Sequence, residues 1–132
     1  MSRASAIAAG RRAAVRGMTD TWTVYRVGLE WSDAAGANVA VTTTVYSGPG
    51  KLQSYESYEQ TPNAGGHEYA VMRPTLHLPL GAEAADVTVL DIAVCTASVV
   101  DAAMVGVEVK VEGRQLKTYM TARRFPVSEV LA

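Results

Sequence analysis

The side chains of this 132-residue chain that could make or break bonds are few: two histidines, one cysteine and a scatter of carboxylates. His67 and His77 stand ten positions apart, with no cysteine or close carboxylate in a ligand pattern around them. A zinc site needs three or four such donors, so the pair reads as surface or rim residues. Cys95 lies in the apolar run VLDIAVCTA. A nucleophilic thiol needs a base or a positive field beside it, whereas a free cysteine among valines and isoleucines reads as packed core. Asp86, Asp91, Glu108 and Glu112 fall on neighbouring predicted strands and could form the carboxylate pair of a glycoside hydrolase. Acids on outward strand faces are more often solvated, or paired here with Lys110. No G-x-S-x-G elbow occurs, and Gly48-Pro49-Gly50-Lys51 lacks the longer glycine run and following hydroxyl of a phosphate loop. The sequence therefore predicts no catalytic, metal or cofactor site.

Charge is the stronger signal. The net charge is −1, but it is unevenly laid out. Arg3, Arg11, Arg12 and Arg16 open the chain without an acid, and Arg114, Lys117, Arg123 and Arg124 stand near its end without one. Between Asp20 and Glu112 twelve acids face four bases, Arg26, Lys51, Arg73 and Lys110. An acidic body with basic ends suits either nucleic acid or an acidic protein neighbour. The neighbour is preferred, because a nucleic-acid module would gather its bases with exposed aromatics. Arg11, Arg12, Arg16, Arg123 and Arg124 are thus the interface candidates.

The elements that must position these residues follow from periodicity. At 48% hydrophobic and 19% charged, the composition is that of a globular domain. Ser2 or Ser5 is placed to cap an alanine-rich helix over 4–15, with Gly17 as its stop. Its alanine stripe buries little area, so the helix should dock on the body instead of nucleating it. Strands are expected over 19–27 and 39–46, then over 67–80 with prolines at its bends, and over 86–95, the most apolar segment. Residues 28–38 read as a turn region whose Trp31 folds back onto the barrel end. The sharp Ser47-Gly48-Pro49-Gly50 break reads as a kinked corner of the kind that closes small barrels. Residues 98–106 read as a short helical turn. The alternation over 107–112 and again over 116–123, across a turn at 113–115, predicts a closing hairpin. Pro126 should end that last strand and free a contact arm over 127–132. The fold class is mainly β: a small antiparallel β-barrel or sandwich of about six to eight strands with an N-terminal α-helix. The helix takes residues 1–18, the barrel 19–126 and the tail 127–132.

No apolar run approaches the roughly 20 residues needed to cross a bilayer, and the patch at 4–9 is too short for a secretory core. With a lone cysteine, the chain reads as made and kept in a reducing cytoplasm, with no membrane partner.

Three runs, VYSGPGKLQ at 45–53, RPTLHLPL at 73–80 and TARRFPVSEV at 121–130, resemble the head-tail connector family of actinobacterial siphophages, the head-to-tail stopper or head-closure proteins. Gly50 departs from that pattern, which often has cysteine after the Gly-Pro. The resemblance implies a homo-oligomeric ring, a dodecamer, in the virion neck. Its partners would be the portal-adaptor proteins on one side and the tail terminator or tail on the other. The ring would close the filled head and pass genomic DNA at ejection without reading its sequence. It would be assembled in the host cytoplasm. The polar stretch 56–66, with Glu56, Glu59, Gln60, Asn63, Gly65 and Gly66, would project toward the channel, with loop 28–38 competing for that place. Another neck component such as the tail terminator, an OB-like nucleic-acid-binding module and a cytoplasmic enzyme remain as alternatives.

Overall fold

Residues 3–16 are rich in alanine and other helix formers, and they coil into α1 (Arg3–Arg16). The Ser2 hydroxyl accepts from the Ser5 amide at 3.1 Å, and the Gly17 amide closes the far end on the Ala13 and Ala14 carbonyls. No residue of α1 is fully buried, as its thin stripe predicts. The helix lies on the segment that precedes the last strand. Arg11 Nε donates to the Met120 carbonyl at 3.4 Å, and a Cβ on Gly10 would stand 2.8 Å from Thr121 Cγ2. The glycine lets the two backbones approach.

The computed structural model describes residues 2–58, 70–81 and 83–130, without the side chains of 55–58 and 70–73. Its strands are β1 (Asp20–Ser32), β2 (Ala37–Tyr58), β3 (Ala70–Leu78), β4 (Ile92–Ser98), β5 (Glu108–Val111) and β6 (Arg123–Glu129). They form two antiparallel meanders, β1-β2-β3 and β4-β5-β6. The β1–β4 and β3–β6 pairs seal them into a closed barrel. The protein is therefore mainly β, a closed six-stranded antiparallel barrel carrying one N-terminal helix. Closure leaves few strand edges bare. The interior is filled by Trp22, Val24, Tyr46, Leu76, Leu78, Val109, Val111 and Phe125 among others. Cys95 is buried with them, as its apolar context predicts.

The sharp break expected at Ser47-Gly48-Pro49-Gly50 does not form, because that segment keeps its ladder with β1 and is where a single strand changes partners. β2 runs through Ser47–Gly50 without a break, pairing with β1 as far as Gly50 and with β3 from Lys51 onward. One long strand thus serves two neighbours. The short helical turn does form, as a 3-10 turn at Ala102–Met104 capped by the Asp101 side chain.

Several boundaries move. The hairpin expected across 113–115 does not form: residues 112–122 are irregular, with Leu116 and Tyr119 exposed. The partner of β5 is the later segment β6, because pairing Leu76 with Phe125 and Val111 with Val127 puts two more apolar side chains into the core. Pro126 does not end that strand. Its carbonyl accepts from the Glu112 amide at 2.8 Å, so its nitrogen faces the same side, just past the last residue of β5, where its missing N–H is tolerated. Val127, Ser128 and Glu129 consequently belong to the barrel and are not a free arm. Residues 28–32 and 37–38 are strand, the turn between them spans only 33–36, and Gly36 there adopts φ +62°. The strand expected over 86–95 starts at Ile92; Val89 and Leu90 are exposed in a turn. His77 is not a rim residue but is 3% exposed. His67 lies outside the described residues.

Candidate functional site

β1 pairs with β4 only as far as Tyr25, and β2 meets β3 only from Lys51. Residues 26–43 accordingly leave the barrel wall as a two-stranded ribbon. A register shift between Val24 and Tyr25 marks where it departs. Cross-strand partners share a face, so Val27, Leu29 and Trp31 stand in one row with Thr42, Ala40 and Asn38. That row is open to solvent: Val27 is 53% exposed, Leu29 72% and Trp31 64%. Four residue steps from Val27 to Trp31, at about 3.3 Å each, give the row a reach of roughly 13 Å. Trp31 does not fold back onto the barrel; its Nε1 donates to Asp33 Oδ1 at 2.9 Å and holds the ring on the ribbon tip. From Val27 to Gly50 the chain carries two acids, Glu30 and Asp33, and no base.

The basic ends, separated by about a hundred positions in sequence, converge on one side of the molecule. Arg11 is tied to Met120, and Arg3 reaches the Tyr119 hydroxyl at 3.3 Å while its guanidinium lies 5.4 Å from the centre of that ring. Arg11, Arg12 and Arg16 border a groove of about 510 Å³ whose apolar surfaces come from Val15, Pro79 and Leu80, with Thr121 alongside. The two candidates on β6 separate. Arg124 pairs with His77 on the face away from the core, whereas Arg123 pairs with the buried Leu78 and has its Nε buried. Lys51, His77 and Arg124 form one row across β2, β3 and β6. Burial, reinforced by the charges of Lys51 and Arg124, pushes the His77 imidazole down to about 4, so it is neutral at pH 7. Of the channel candidates, Glu56 lies in β2 opposite Met72, a strand position and not a loop. Glu59, Gln60, Asn63, Gly65 and Gly66 lie outside the described residues.

The carboxylates weighed for chemistry are otherwise occupied or apart. Asp91, 1% exposed, receives Arg26 Nε at 2.9 Å, Arg26 Nη2 at 3.1 Å and the Thr88 amide at 2.9 Å. Arg26 Nη2 also donates to the Asp86 carbonyl at 3.0 Å, so the clasp ties β1 to the turn that leads into β4. It is the one salt bridge among the described residues. Glu112 accepts from the Ser128 hydroxyl at 2.5 Å. Burial, with Asp20 nearby, raises the Cys95 pKa, so the thiol stays protonated near neutrality. Among the described residues no group of three or more potential metal ligands gathers, and no helix is long and apolar enough to cross a membrane. An Asp91→Ala chain is expected to lose about 2 kcal/mol, because three hydrogen bonds to a buried carboxylate vanish together. A urea midpoint unchanged from wild type would contradict that role for the clasp.

No signal in the sequence joined Arg26 to Asp91, 65 positions apart. The ribbon did leave one: Leu29 and Trp31 alternate with Glu30, and Val39 and Val41 follow the turn.

No curated protein and no solved structure matches the chain. A family model described as "Family of unknown function (DUF6093)" matches residues 10–128, which takes in the last half of α1, the interface arginines, the ribbon and all of the barrel but its final residue. By that match the chain belongs to the DUF6093 family.

Proposed function

We propose that the protein is a structural subunit of a siphophage neck, a head-to-tail stopper that assembles as a ring between the portal-adaptor proteins and the tail. The three runs that resemble head-tail connector proteins support this reading. The observation that carries it is the ribbon: a sealed barrel has few edges to offer, yet it projects an apolar row about 13 Å long into solvent. A row of that kind belongs against another protein surface. Subunits related by rotation present different faces to one another, and such contacts close into a ring when the rotation divides a full turn. Acidic residues of the body turned toward the bore would repel phosphates, so DNA would slide through and not adhere. The basic side, with Arg12, Arg16 and Arg124, is free to meet an acidic collar above or below.

Electron microscopy of mature particles tests the assignment. A ring of repeated density between portal and tail that accepts this barrel is expected, and absence of the chain from mature particles overturns the proposal. One observation favours a second reading: Tyr119, half exposed and carrying Arg3 over its ring, sits on the basic side as a stacking platform for single-stranded nucleic acid would. That reading predicts binding of free single-stranded DNA that weakens steeply with salt, which a neck subunit lacks.

A further inference from the structure

The exposed row on the ribbon and the groove beside α1 have complementary makeup. Beyond Arg26, whose guanidinium is taken up by Asp91 at its base, the ribbon offers Val27, Leu29 and Trp31 on one face with the carboxylate of Asp33 bonded to the Trp31 indole at its tip. The groove offers Val15, Pro79 and Leu80 between Arg11, Arg12 and Arg16, and no acid occurs among residues 2–19. We infer that the ribbon of one copy seats in the α1 groove of a second copy, placing Leu29 and Trp31 on the apolar surface and Asp33, at the ribbon tip, beside the arginines. This deepens the ring reading given above and rests on it for the closure of the ring, though the pairwise contact does not depend on it.

Three features select this occupant. A second groove, about 630 Å³, opens where β3 and β6 part, lined by Leu52, Pro74, Val107 and Val127. The charged residue on that lining is Glu129, which would repel Asp33, so charge favours the arginine groove. Topology comes next: in the cyclic order β1-β2-β3-β6-β5-β4, β1 lies across the barrel from β6. The ribbon continues from β1 and β2, while the groove is built from α1, the residues after β3 and the residue Thr121 just before β6. Donor row and acceptor groove are thus distinct surfaces, the arrangement of a heterologous contact that propagates from copy to copy. Last, an indole brought against guanidinium groups gains cation–π attraction, and tryptophan and arginine are both enriched among the residues that carry most of an interface's binding energy.

The test uses two variants of the full chain, analysed by sedimentation velocity in low salt. Leu29→Ser/Trp31→Ser removes the row, and Arg12→Glu/Arg16→Glu reverses the groove. All four side chains are exposed, so thermal melts followed by circular dichroism should match wild type. Wild type is expected to self-associate, and each variant alone to do so at least about tenfold more weakly. Mixed together, the two variants should form a one-to-one pair and nothing larger, since only one good row and one good groove remain. Asp33→Arg introduced into the Arg12→Glu/Arg16→Glu chain should restore association. A wild type that stays monomeric up to about 0.5 mM, variants that associate as wild type does, or a mixture that fails to pair overturns the contact. The two proposals fail separately. Neck rings built normally from the Leu29→Ser/Trp31→Ser chain would remove this contact and leave the stopper role standing. One-to-one pairing by a chain missing from particles would do the reverse.

Discussion

A Gly50→Val chain is expected to unfold about 3 kcal/mol more easily than wild type, an effect at the upper end of what overpacking does. A Cβ at this position would stand 2.8 Å from Trp22 Cδ1, 2.9 Å from Leu78 Cδ2 and 3.2 Å from the His77 carbonyl oxygen. Trp22 and Leu78 are both fully buried, so neither can swing into solvent to make room. Against this stands the entropy gained by replacing a glycine, about 0.4–1 kcal/mol. The clash is larger and sets the sign. Relief should come from Trp22: phenylalanine lacks the five-membered ring that carries Cδ1, and it also removes an indole N–H that is buried without a partner. Measured by urea unfolding, Gly50→Val should therefore cost less in a Trp22→Phe background than alone. Strict additivity of the two changes would show that the added side chain does not press on Trp22.

Acid should weaken the fold through His77. The ordinary histidine value is 6.5, and in the folded protein burial and the flanking cations hold this one near 4. Below pH 6.5 the unfolded chain takes up a proton that the folded protein refuses until about pH 4. Stability carried by the neutral ring is thus complete above pH 6.5 and is lost progressively as pH falls toward 4, with no further loss below. At pH 5 the loss amounts to about 2 kcal/mol. Other titrating groups contribute to the raw slope, so the informative quantity is the difference between wild type and His77→Gln. Unfolding midpoints taken at pH 7 and pH 5 should fall less in the variant. Equal falls in both chains would mean that His77 is as easily protonated in the fold as outside it.

Much of the barrel was legible because its signals are local. Alternation in 107–111 marks β5, and Ser2 and Gly17 bracket α1. Cys95 could be placed in the core from its neighbours alone. Errors arose where distant partners decide. LKTYMTAR alternates as well as any strand, yet Leu76 and Val111 select Phe125 and Val127, which leaves Leu116 and Tyr119 outside. Loop-forming residues in 28–38 disguised a ribbon, because Gly28, Asp33 and Gly36 suggest turns while the alternation of Leu29 and Trp31 only becomes meaningful beside Ala40 and Asn38. His77 is buried on the outward face of β3 between Lys51 and Arg124, and nothing in RPTLHLPL brings those two neighbours beside it. The charge map survived in substance but changed in geometry. The two basic ends form one side, and Arg123 and Arg124, adjacent in the chain, point to opposite faces of β6.

The sealed position of Cys95 has a practical corollary. It is the one sulfhydryl in the chain, enclosed in the barrel, with its Sγ within 3.5 Å of the Ala97 carbonyl. A maleimide dye or nitroxide label offered to the native fold therefore meets no competing exterior thiol. A cysteine placed at Ala35, on the exposed turn of the ribbon, becomes a single spectroscopic reporter there without any need to delete the natural one.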